Sequence, residues 1–225
     1  MKIILKYIFT NVKERKTRTA VMLLSILLST TLLFVSFSIG ASYENAQRKM
    51  ARGMAGSATL SVSAADGGID FSVLPKLSSI SASVGMLESS ALYHENGYYE
   101  TIDLIAADLT QLNQINPPRL ANGGEITDFT GNQVILPDRF TSKYGIKAGD
   151  TITLQIGGQP ITLEVAEIAA YDTVFLRHTR GATALLPLST LSELLGKTDG
   201  YTEILIEPAG GTTTAELKNE LAAAL

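Results

Sequence analysis

The sequence predicts an α+β extracytoplasmic domain tethered by an N-terminal transmembrane helix. Three observations predict it. Ala20–Ala41 is a 22-residue run without a charge. Later segments alternate apolar and polar residues as half-buried strands do, interleaved with short segments of helical period. Charge is also divided along the chain. Residues 1–41 hold six bases and one acid, whereas residues 42–225 hold 12 bases and 21 acids. The net charge of −4 therefore hides a basic end and an acidic remainder, which points to parts living in different environments.

The basic end comes first. On a helix of ~100° per residue, Lys2, Lys6 and Lys13 fall within about 40° of one another. Ile3, Ile4, Leu5, Tyr7, Ile8, Phe9 and Val12 cover most of the remaining circumference. Such a helix lies in a membrane interface with its lysines toward phosphates. Lys13, Arg15, Lys16 and Arg18 then stand directly before the apolar run. At ~1.5 Å per residue this run spans about 33 Å, enough for a hydrocarbon core of ~30 Å. Its serines and threonines are tolerable because hydroxyls bond back to helix carbonyls. The positive flank predicts a cytoplasmic N-terminus and an outside location for residues 42–225. A cleaved signal peptide has a shorter apolar core, of about 7–15 residues, so an uncleaved anchor is expected.

The expected organisation is a cytoplasmic basic amphipathic helix at 1–18, a transmembrane helix at 19–41, a helical stalk at 42–56 and the extracytoplasmic domain at 57–225. Within that domain Ala58–Ala64 alternates as a strand, and Phe71–Ser83 reads as a short helix. Met86–Glu95 and Tyr98–Ala107 are strands joined by Asn96-Gly97, a tight-hairpin signal. Asp108–Ile115 is a helix capped by Asp108 and stopped by Asn116-Pro117-Pro118. Asn122–Gly131 is a loop, Gln133–Leu136 a short strand, and Pro137–Tyr144 a helix ending before Gly145. Thr151–Ile156 and Ile161–Ile168 form a hairpin across Gly157-Gly158-Gln159, apolar on one face and polar on the other. Ala182–Leu186 is a strand, Leu188–Leu195 a helix, Thr202–Glu207 a strand and Thr214–Leu225 a helix with a threonine cap and Glu216 behind it.

Little in the chain points to chemistry. With no cysteine, disulfides, thiol catalysis and cysteine-based metal sites are excluded. His94 and His178 form no metal-spaced pair, and no P-loop or nucleophile elbow is present. Asp66 and Asp70 read as solvated loop acids. Gly149-Asp150 reads as a hairpin entry, the glycine supplying an unusual backbone angle and the aspartate bonding local backbone. No acid–base or nucleophile constellation emerges, so a non-catalytic chain without cofactor is expected. The acidic domain gives no reason to expect nucleic acid.

The order of features resembles the permease subunits of FtsX/MacB/LolC-type ABC transporters. Asn11-Val12-Lys13-Glu14-Arg15-Lys16-Thr17-Arg18-Thr19 running into the apolar span is similar to the family's basic N-terminus and first membrane helix. The segment Tyr144-Gly145-Ile146-Lys147-Ala148-Gly149-Asp150-Thr151-Ile152 is similar to a turn of the family's first outer domain, with Gly145, Gly149, Asp150 and Thr151 in structural roles. Leu120-Ala121-Asn122-Gly123-Gly124 is similar to the loop before it. The resemblance covers essentially the whole chain. It implies a MacB-like periplasmic core domain behind a membrane helix. It also implies a bacterial cell-membrane location, a cytoplasmic ABC ATPase partner, a second permease copy or homologue, and an extracytoplasmic adaptor or substrate. ATP hydrolysis would reside in the partner chain. Family permeases carry further membrane helices after this domain, so the chain is expected to be a fragment. The alternative expectation is a single-span membrane-anchored binding or sensor domain.

Overall fold

The computed structural model describes residues 10, 16–64, 74, 77–95, 97–126, 129–177, 181–196 and 200–224. Two compact units follow one another along the chain, Met1–Lys49 and Met50–Leu225. Helices and strands occur in mixed order behind one apolar helix, as the α+β reading expects.

Helix α1 runs from Lys16 to Ala55 without a break. Its most apolar 18-residue window has a mean hydropathy of 2.3, so the helix is long and apolar enough to cross a membrane. None of its side chains is buried within the chain. A row of exposed Leu and Phe side chains, such as Leu32, Phe34 and Phe37, calls for an apolar surround. The hydroxyls of Ser25, Thr30 and Ser36 donate to the carbonyls of Val21, Ile26 and Leu32, each at 2.9 Å. These three hydroxyls are thereby satisfied inside the helix, as a lipid environment requires.

The second unit is built on one eight-stranded sheet: β1 (Leu60–Ser63), β2 (Ile80–Glu95), β3 (Tyr98–Ala107), β4 (Gln133–Pro137), β5 (Thr151–Ile156), β6 (Gln159–Ala169), β7 (Ala182–Pro187) and β8 (Glu203–Pro208). Its order is β1-β8-β2-β3-β7-β4-β6-β5, and β5 also pairs with β2 through Ala91↔Ile156, Leu92↔Gln155 and Tyr93↔Leu154. That last pairing closes six strands into a ring. The 16-residue β2 makes this possible, because its first half pairs with β8 and its second half with β5 along the same edge.

Side chains pointing into the ring form one core, including Leu87, Leu104, Leu136, Leu154, Leu163 and Leu186. Phe140 of α3 (Asp138–Tyr144) and Leu191 of α4 (Leu188–Leu195) pack into the same core. A second core lies on the opposite faces of the strands, where Met86, Ile105, Ile135 and Leu185 meet Leu112 and Ile115 of α2 (Leu109–Ile115). They also meet Val174 and Phe175 of a 3₁₀ turn, Thr173–Leu176. Strands β4 and β7 are buried on both faces, which is why they read as continuous apolar runs and not as alternations. A third core packs Leu217 and Leu221 of α5 (Thr214–Ala224) on Ile204 and Ile206 of β8.

One expectation fails. Residues 80–83 do not close a helix begun at Phe71; they open β2. Ile80-Ser81-Ala82-Ser83-Val84 also alternates apolar and polar. Pairing of Ile80 through Met86 with Pro208 through Glu203 selects that period over the helical one. The remainder of the expected helix falls mostly outside the described residues.

Candidate functional site: the end of the long helix

The sequence-derived residues are spread over separate places. Lys16 and Arg18 lie exposed in the first turn of α1, while Lys2, Lys6, Lys13 and Arg15 lie outside the described residues. Gly145 caps α3 in the left-handed conformation, with φ 70°. Gly149, at φ 88°, donates its N–H to the Val165 carbonyl at 2.8 Å. The Asp150 carboxylate accepts the Lys147 N–H at 2.8 Å, and Thr151 opens β5. This turn starts the β5–β6 hairpin, and the Asp150 carboxylate is spent on local backbone. His94 stacks on Tyr99 with ring centroids 4.4 Å apart, and His178, Asp66 and Asp70 lie outside the described residues. Among the described residues no cluster of three metal-ligating side chains occurs.

A cluster of polar and charged side chains in the second unit lies instead where α1 ends. The last four carbonyls of any α-helix lack intrahelical donors and need other partners. Here all four find one. The Arg52 carbonyl accepts the N–H of Gly56 at 2.8 Å, and that of Ala55 accepts the N–H of Ala58 at 3.1 Å. Asn116 Nδ2 donates to the carbonyls of Gly53 and Met54, at 2.9 and 3.1 Å. Arg177 Nη1 reaches the Met54 carbonyl at 3.4 Å. Asn116 is buried, so it acts as a fixed cap and not as a solvated one.

The chain then turns through Gly56, which takes φ 64°. A Cβ there would collide with the carbonyl oxygen of Ile115, so the position needs glycine for space as well as for angle. Ser57 follows, its N–H donating to the Ile115 carbonyl at 2.9 Å and its hydroxyl to Glu207 Oε2 at 2.6 Å. Gly53 lets the helix approach the 3₁₀ turn closely, because a Cβ would stand 2.7 Å from Leu176 Cδ1.

Beneath this cap lies a charged triad. The Arg177 guanidinium donates to Glu88 Oε1 at 3.0 Å and to Glu203. The side chains of Arg177 and Glu203 are only 11% and 14% exposed, so the pairing is poorly screened. Burial pushes the Glu203 carboxyl above the ordinary glutamate range; Arg177 pulls it back, and the Glu88 charge pushes it up again. Arg177 Nε is buried without a partner, and a cavity of about 240 Å³ opens beside Arg177 and Glu203.

None of Asn116, Arg177, Glu88 or Glu203 stands out in the sequence. Asn116 reads only as a helix stop before Pro117-Pro118. The nearest signal is Glu88, an acid placed within a largely apolar strand. Its partner is 89 positions away.

The chain matches no curated protein sequence. Three solved structures illustrate what it is similar to. The extracellular domain of the noncanonic ABC-type transporter YknZ from Gram-positive bacteria aligns with a TM-score of 0.47 and 13% identity, covering 68% of this chain and 78% of that one. The periplasmic region of MacB from Actinobacillus actinomycetemcomitans gives 0.49 and 13%, over 70% and 72%. A domain of a putative permease protein from Porphyromonas gingivalis gives 0.45 and 12%, over 70% and 74%. The family model of the MacB-like periplasmic core domain matches residues 19–224. That match takes in nearly the whole chain, apolar helix and domain alike, and the protein therefore belongs to the MacB-like periplasmic core domain family.

Proposed function

We propose that this chain is the membrane-anchoring part of an ABC transporter permease that couples ATP hydrolysis in a cytoplasmic partner to movement of its extracytoplasmic domain. In this reading residues 1–18 are cytoplasmic, 19–41 cross the membrane, 42–56 form a stalk and 57–225 form the outer domain. A second copy or homologue pairs with it. The outer domain handles an adaptor or a substrate, for export, extraction or signalling.

The observation that carries the reading is the end of α1. A flexible tether would need no cap. Here Asn116 and Arg177, both from the domain, hold the final carbonyls of the helix. A rigid element with a fixed end can carry a two-state displacement, whereas a loose linker dissipates it. Membership of a family of ABC-transporter periplasmic domains supports the ATPase partner.

The test is purification of the tagged full chain from its native membrane in mild detergent. An ABC ATPase is expected to co-purify in stoichiometric amount, with ATP hydrolysis that orthovanadate traps. Asn116→Ala and Arg177→Met are expected to leave the ATPase bound while lowering its stimulation by the chain. A chain that purifies without any ATPase would favour an anchored binding or sensor domain and sink the proposal.

A further inference from the structure

Outside α1, three large apolar side chains among the described residues stand in solvent: Leu92, Tyr98 and Tyr99, at 41%, 74% and 67% exposure. All three belong to the outer end of the β2–β3 hairpin. Tyr99 is not loose, because its ring stacks on His94 with an interplanar angle of 25°. A cavity of about 610 Å³ lies against Tyr98, Tyr99 and Tyr144. A second, of about 300 Å³, shares Glu100, Lys143 and Gly181 with it and extends to Arg139 and Tyr171. The two form one trough. Its floor is kept bare at Gly181, where φ is 93° and a Cβ would collide with the Thr101 carbonyl oxygen.

The charges in the trough are unequal. Glu100 accepts from Lys143 and from the Tyr144 hydroxyl. Burial pushes the Glu100 carboxyl up, but these hydrogen bonds, together with the charges of Lys143 and Arg139, outweigh it and hold the group below the usual carboxylate range. Lys143 is thus matched by Glu100. Arg139 lies 5.2 Å from the Tyr171 ring centroid and makes no ion pair among the described residues. Among the described lining residues two bases, Lys143 and Arg139, therefore face one acid, Glu100, on a domain whose acids outnumber its bases 21 to 12 over residues 42–225.

Held tyrosines beside an exposed arginine that makes no direct ion pair among the described residues are the composition of an interaction hot spot. The exposure of Tyr98 and Tyr99 shows that one wall is open, so a small molecule would not be enveloped. A chain segment laid across the trough would meet every feature in turn. We propose that this trough binds an acidic peptide segment of an extracytoplasmic partner protein, with an apolar side chain on Tyr98 and Tyr99 and a carboxylate on Arg139. The inference rests on the reading that places residues 42–225 outside the membrane, and gives that domain a partner class.

The probe is a random dodecapeptide display library panned on the full chain in detergent micelles. Recovered peptides are expected to be enriched in Asp or Glu together with an aromatic or aliphatic residue. Synthetic copies are expected to bind less well as salt rises. Arg139→Glu and Tyr99→Ala are each expected to weaken them at least about tenfold. Both positions are exposed, and an unchanged melting temperature checks that the variants fold. Three results would each overturn the proposal: no acidic consensus, equal binding to the Arg139→Glu variant, or a change in self-association on trough substitution, which would make the occupant a second copy. Peptide binding is measured without ATPase, so failure here is distinct from failure of the transporter reading.

Discussion

Arg177 faces two carboxylates and a helix carbonyl at once, so the cost of replacing it depends on what remains. Arg177→Met leaves Glu88 and Glu203 facing each other in a poorly solvated place. A loss of about 3–5 kcal/mol is expected in urea unfolding of the detergent-solubilised chain. Glu203→Gln is expected to be much milder, because Glu88 still neutralises the arginine. The pH dependence follows from the direction of the Glu203 shift. A carboxyl raised in the folded state contributes stability below its ordinary range and loses that contribution as pH rises through the raised value. Wild-type melting temperature should therefore fall as pH climbs from the ordinary glutamate range toward neutrality, and Glu203→Gln should flatten that fall. An unchanged slope in the variant would show that Glu203 does not titrate there. Asn116→Ala strands the Gly53 carbonyl in a buried cap, for about 1–3 kcal/mol, whereas Asn116→Asp removes the donor while keeping the shape and should cost no less.

At the level of single elements, the sequence is most legible where the deciding interactions are local. The β5–β6 hairpin repeats its buried positions every second residue in β5, and the chain reverses at Gly157-Gly158. Leu154→Ala, which opens space inside the ring, should cost about 2–5 kcal/mol in the same unfolding measurement. Its exposed neighbour Gln155→Ala should stay within about 0.5 kcal/mol. The caps are equally local: the Asp108 carboxylate accepts the Gln111 N–H at 3.0 Å, as expected of that helix start. Thr213 and Glu216 exchange a reciprocal pair of bonds that fixes the start of α5, and Thr213→Ala should cost about 1 kcal/mol. What is not legible depends on distant pairing. Nothing local tells β4 to lie parallel to β6, or β3 parallel to β7. The first half of β2 has two competing periods, and only β8 settles them. The helix-end cap is hidden for the same reason, since Asn116 and Arg177 meet Met54 across 62 and 123 positions.

For the whole molecule the deciding quantity is the charge division. Six bases against one acid up to residue 41, then 21 acids against 12 bases, is a distribution that an insertion apparatus can read. Only positive residues close to the span weigh heavily in that reading, and Lys13, Arg15, Lys16 and Arg18 are all within it. The absence of cysteine makes the orientation directly measurable, because one introduced thiol is the only thiol. Thr130 lies exposed between β3 and β4 in the second unit, which the proposed topology puts outside. Thr130→Cys should react with a membrane-impermeant maleimide in intact cells of a host whose outer envelope admits the reagent. A cysteine placed at position 2 should react only after the membrane is permeabilised. Replacing Lys13, Arg15, Lys16 and Arg18 together by neutral residues should move a substantial fraction of Thr130→Cys out of reach, since the remaining Lys2 and Lys6 are more distant from the span. Labelling of Thr130→Cys that requires permeabilisation in the otherwise unaltered chain would invert the topology and, with it, the assignment of the acidic domain to the outside.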